Sequence, residues 1–162
     1  LTSWYWTILE VYKLGLHFII NGKEGAQDGE ELSQGDFTNP LLFFFFFPAA
    51  GVTLYKGMTI FIRADEGEEY YLVHVEIRGT NARKFYVANG IGTNYGMTYY
   101  GSSVNDSINY NGTYYYRDGL LLGKVGDTNM PIKILALVNG NEDDSPDLTT
   151  KIYARSCYDG AS

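Results

Sequence analysis

Tyr70-Tyr71-Leu72-Val73-His74-Val75-Glu76-Ile77-Arg78 sets Tyr71, Val73, Val75 and Ile77 against His74, Glu76 and Arg78. That period of two is the pattern of a half-buried antiparallel strand. Outward from it, further strands are expected at Leu14–Ile20, Leu41–Phe47, Met58–Arg63, Lys84–Ala88, Met97–Tyr100, Thr113–Tyr116, Ile132–Val138 and Thr149–Ala154. In the first of these, Leu14, Leu16, Phe18 and Ile20 share one face and Gly15, His17 and Ile19 the other. Turn pairs punctuate the chain at Lys56-Gly57, Glu66-Gly67, Asn89-Gly90, Asn111-Gly112, Asp118-Gly119 and Asn139-Gly140. Residues 22–35, with Glu24, Asp28, Glu30, Glu31 and four glycines, read as a long acidic loop. Short strands at such spacing predict an antiparallel β-sandwich, all-β in class and immunoglobulin- or fibronectin III-like in order.

One helix is expected, at residues 1–13. Thr2 or Ser3 caps it, and Trp4, Ile8, Val11 and Tyr12 fall on one face before Gly15 stops it. About three turns are too short to be stable alone in water. The helix therefore packs on its own domain or, with Trp4, Tyr5 and Trp6 in the seam, on the same helix of a second chain.

The 162 residues, 45% apolar and 19% charged, make one domain over residues 1–162, the helix leading into a sandwich at 14–162. A net charge of −7 leaves no basic patch for nucleic acid or an anionic membrane. The longest apolar run, Leu41–Phe47, is far short of the roughly 20 residues a spanning helix needs, and reads as a strand buried on both faces. A chain that opens on Leu1 reads as processed or truncated, and the opening shows no leader pattern.

The segment Leu9-Glu10-Val11-Tyr12-Lys13-Leu14-Gly15-Leu16-His17-Phe18, followed by Asn21-Gly22-Lys23-Glu24-Gly25, resembles the N-terminus of fungal immunomodulatory proteins. Tyr70 through Asn81 is similar to the tyrosine-led strand and polar turn of that family. Gly126-Asp127-Thr128-Asn129, the strand Ile132–Val138 and the acidic turn after it are similar to its tail. The resemblance implies a helix-mediated homodimer on a fibronectin III-like sandwich, secreted, binding cell-surface glycans or glycoproteins without catalysis and stimulating immune cells. Gly22 and the Ser156-Cys157-Tyr158 segment stand where that family carries tryptophans.

Candidate ligand-binding residues follow from tyrosine interleaved with Asn, Gly and Thr. These are Tyr95, Tyr99, Tyr100, Asn109, Tyr110, Asn111, Tyr114 and Asp118. Tyrosine offers a flat apolar face with a hydroxyl at its edge, and Asn or Asp supplies fixed donors and acceptors for sugar hydroxyls. The bland reading is that alternate tyrosines pack between the sheets. No nucleophile–base pair is apparent: Cys157 has no adjacent histidine, and His17 and His74 sit in strand patterns. No enzyme, cofactor or metal is therefore expected. Asn139 through Asp144 offers oxygen donors but lacks the spacing of a calcium loop. Asn105-Asp106-Ser107 and Asn111-Gly112-Thr113 are glycosylation tripeptides. An alternative reading makes the chain a structural subunit of a filament, capsid or appendage, assembled through its apolar N-terminal segment.

Overall fold

A computed structural model describes residues 15–33, 40–46, 53–91, 107–117, 119–139 and 147–156. The expected helix with Trp4, Ile8, Val11 and Tyr12, the strand expected at Met97–Tyr100, residues 140–144 and Cys157 lie outside these. The described strands are β1 (Leu16–Ile20), β2 (Glu30–Ser33), β3 (Leu41–Phe46), β4 (Thr53–Ala64), β5 (Tyr70–Arg78), β6 (Phe85–Asn89), β7 (Ser107–Tyr110), β8 (Thr113–Arg117), β9 (Gly119–Val125), β10 (Met130–Asn139) and β11 (Asp147–Ser156). They form a seven-stranded sheet, β2-β1-β4-β10-β6-β8-β7, and a four-stranded sheet, β3-β11-β5-β9. The antiparallel all-β class expected from the sequence is present.

The pairing is nested. β3 pairs with β11, β4 with β10, β5 with β9 and β6 with β8, so the earlier strands meet the later ones in reverse order. β11 also pairs with β5, and β10 with β6. A long hairpin of strand pairs is thus rolled so that successive pairs alternate between the sheets, the double Greek-key order of a jelly roll. An immunoglobulin-like order keeps three consecutive pairs, its first and second, fourth and fifth, and sixth and seventh strands, side by side within a sheet. Here the chain changes sheet at each step from β3 to β6. That is a departure from the expected strand order.

The main core lies between the sheets. Phe18, Ile60, Ile62, Val75, Ile77, Phe85 and Ile134 are among its fully covered side chains, each contributing about 1.5–3 kcal/mol of burial. A second, smaller cluster of Tyr86, Ala88, Tyr115 and Leu135 lies at the alternate positions, on the opposite face of the larger sheet. It exists because that sheet curls. The ring centroids of Tyr55 on β4 and Tyr110 on β7 are 4.9 Å apart. Three strands separate β4 from β7 in the sheet, and four spacings of about 4.8 Å would hold them near 19 Å in a flat one. β6 meets β10 only up to Ala136↔Phe85, and β8 meets β6 at just two positions. The strands beyond are therefore able to fold over the sheet.

Three local expectations are corrected. Lys56-Gly57 is not a turn: β10 pairs with β4 without a break from Met130↔Ile62 to Asn139↔Thr53. The long ladder overrides the dipeptide preference. Within the supposed acidic loop, Glu30–Ser33 forms β2 along the edge of β1. In β5 only Arg78 of the polar side is solvated. His74 and Glu76 are covered, with His74 Nε2 3.8 Å from Glu76 Oε1 and Arg78 Nε 3.7 Å from Oε2. A fully buried carboxylate requires such partners.

Candidate functional site

The hairpin β7–β8 turns at Asn111-Gly112, whose φ values of 52° and 86° are both left-handed. This is the Asn-Gly geometry whose twist matches paired strands. Asn109 Oδ1 accepts from Gly112 N at 3.1 Å and fixes the turn. In register, Asn109 faces Tyr114 and Tyr110 faces Thr113. Neighbouring side chains alternate, so Tyr110 and Tyr114 point to opposite faces. The expected ligand residues are thus divided. Tyr110 packs at the second cluster beside Tyr55, Tyr114 is 51% exposed on the other side, and Tyr95, Tyr99, Tyr100 and Asp118 lie outside the described residues.

Tyr55 is a member of this surface that the sequence reading missed. Treating Lys56-Gly57 as a turn removed it from any strand, whereas its place opposite Leu137 puts it on the curled face. It is 41% exposed and tilted 37° against Tyr110, with the ring centres within the roughly 4.5–7 Å separation of interacting aromatic pairs. Beneath the pair, Arg117 Nη2 donates to Tyr86 Oη at 2.5 Å, with its guanidinium carbon 5.1 Å from that ring's centre. Burial, then neighbouring Tyr110, raises the Tyr115 pKa, so its hydroxyl keeps its proton. The result is an aromatic floor of tyrosines with the Asn111-Gly112 turn directly after Tyr110.

A second concavity lies towards the far end of β4. Arg63 is eight residues beyond Tyr55, about 26 Å along a strand. The cavity, of about 290 Å³, is lined by His17, Ile19, Gln27, Glu31, Arg63, Ala64, Asp65, Glu66 and Asp127. His17 stands between two carboxylates, Nδ1 2.5 Å from Glu31 Oε1 and Nε2 2.5 Å from Asp65 Oδ1. Burial lowers its pKa, but the hydrogen bonds to and charges of Glu31 and Asp65 outweigh that and hold it above its ordinary 6.5. Arg63 donates to the Asp28 carbonyl at 2.6 Å and Asn129 Oδ1 at 2.9 Å, while Asn129 Nδ2 reaches the Lys23 carbonyl at 3.0 Å. The loop before β2 is thereby tied to the loop before β10. Sequence reasoning placed His17 in a strand pattern and Glu66-Gly67 in a turn; His17 and Asp65 are 48 positions apart, and no local pattern joins them.

Among the described residues, no group of three or more His, Cys, Asp or Glu side chains is placed to hold a metal ion, and no helix is long and apolar enough to cross a membrane. No family model, curated protein or solved structure matches the chain.

Proposed function

We propose that this chain is a non-enzymatic, lectin-like protein that binds saccharides of cell-surface glycans or glycoproteins through the tyrosine surface of its curled sheet. The observation that carries the reading is the half-exposed Tyr55–Tyr110 pair, 4.9 Å between centres, beside the Asn111-Gly112 turn. Flat rings take the apolar face of a sugar, and amides at their edge take its hydroxyls. Jelly rolls include lectin and capsid domains; the shared fold is compatible with both, and the reading rests on the site. The resemblance to fungal immunomodulatory proteins supports the secreted, helix-paired homodimer and immune-cell stimulation, rather than the strand order.

Haemagglutination at rising protein concentration, with and without competing simple sugars, tests this. Agglutination abolished by a sugar is expected. Tyr55→Ala should raise the concentration needed at least about tenfold, the equivalent of about 1.4 kcal/mol. Tyr71→Ala, exposed on the other sheet, should leave it unchanged. No agglutination by soluble protein, or equal loss in both variants, contradicts the reading. Removal of residues 1–13 is expected to convert a dimer to a monomer in size-exclusion chromatography; an unchanged dimer rejects the helix as the seam.

The structural-subunit reading has one observation in its favour. β3, Leu41-Leu42-Phe43-Phe44-Phe45-Phe46, is at the edge of the four-stranded sheet among the described strands. An apolar edge strand without charge is a ready surface for strand pairing with another chain. Concentration-dependent polymers in electron micrographs would favour that reading over the lectin.

A further inference from the structure

We propose that β2 is a proton-dependent latch: His17 fastens it over the outer edge of β1 when protonated and releases it when neutral. β2 is four residues long and mostly exposed, and its pairing with β1 carries a register shift between Phe18 and Ile19. Burial alone holds such a strand weakly. The His17 ring supplies the fastening, joining Glu31 on β2 to Asp65 in the turn after β4.

The geometry specifies the charged ring. Both ring nitrogens lie 2.5 Å from carboxylate oxygens. A neutral imidazole has one N–H, so its other nitrogen would set a lone pair against a carboxylate; only the imidazolium donates on both sides. The charged groups facing His17 sharpen the effect. Glu31 comes from β2, Arg63 from β4, Asp65 and Glu66 from the β4–β5 turn, and Asp127 from the β9–β10 connection. With His17 protonated, two cations face four carboxylates; without its proton, Arg63 alone remains, already held by the Asp28 carbonyl and Asn129. Repulsion then acts on Glu31, the one carboxylate of the set carried by β2. Its departure bares the backbone of residues 18–20, which pair with β2, as an edge open to strand addition.

The direction with pH follows from linkage. The folded pKa of His17 is raised above its ordinary 6.5. The latch is therefore at full strength below the free value and weakens as pH rises to the folded value. Amide exchange of residues 30–33 and 18–20, followed by NMR from pH 6 to 9 and corrected for intrinsic rates, tests this. Protection should fall about tenfold per pH unit between the free and folded pKa of His17 and level off beyond. In His17→Gln, which keeps His74, protection should be low and independent of pH. Glu31→Gln, which removes only the β2 carboxylate, should lower protection of residues 30–33 at pH 6 while leaving the main core's amides unchanged. Corrected protection that is flat in the native chain, or a decline that persists in His17→Gln, or a Glu31→Gln chain as protected as the native one, overturns the latch.

Discussion

Gly119→Ala is expected to be the most damaging glycine-to-alanine change among the described residues. Gly119 opens β9 opposite Glu76, with φ at 136°, a region that L side chains rarely adopt. A Cβ there would lie 2.3 Å from the Val75 carbonyl oxygen and 3.1 Å from the Glu76 Cα. Both obstacles are backbone within a paired strand, so neither gives way cheaply. Strain and clash together should cost about 3 kcal/mol or more. β9 also carries Leu120, Leu122 and Val125 into the main core, so a shift to relieve the clash would uncover apolar surface. Gly67→Ala separates the two effects. Its φ is 81° with nothing within 4 Å of the added carbon, which leaves backbone strain of about 1–2 kcal/mol. Urea denaturation of the two variants should differ clearly in midpoint; equal losses would contradict the close approach of β9 to β5.

Leu135→Ala is the second large effect, and it tests the curl of the larger sheet. In a plain two-layer sandwich, a side chain on the outer face would face water, and truncating it would change stability by no more than about 0.5 kcal/mol. Leu135 is 0% exposed and packs with Tyr86, Ala88 and Tyr115 in the second cluster. Truncation should therefore cost about 2–5 kcal/mol, as for any buried leucine. The consequence reaches the binding surface, because Tyr110 rests on the same cluster. Saccharide binding should weaken with stability in Leu135→Ala. A variant as stable as the native chain would show that β7 and β8 do not close over β10.

What was legible in the sequence was what neighbours along the chain determine. Val73, Val75 and Ile77 lie in the core as their alternation requires, and Asn111-Gly112 turns the hairpin that places Asn109 and Tyr110. What was not legible depends on partners distant in sequence. Glu30 to Leu32 are all exposed, so β2 has no apolar period; only the edge of β1 makes it a strand. Tyr55 joins Tyr110, 55 positions further along the chain, through a curl that no local pattern encodes. The nested strand order is likewise a property of long-range pairing: period-two segments are equally compatible with either sandwich order. The same holds for His17, whose strand assignment was visible and whose two carboxylates were not.

The central claim is that the tyrosine surface of the curled sheet is where a saccharide binds. Titrating isotopically labelled protein with an oligosaccharide that inhibits agglutination, and following chemical shifts, tests this most directly. The account predicts saturable shifts centred on Tyr55, Tyr110 and Asn111, lost in Tyr55→Ala, with His17, Arg63 and Asp127 unmoved. Shifts centred instead on the His17 cavity, or none at any saccharide concentration, would contradict it.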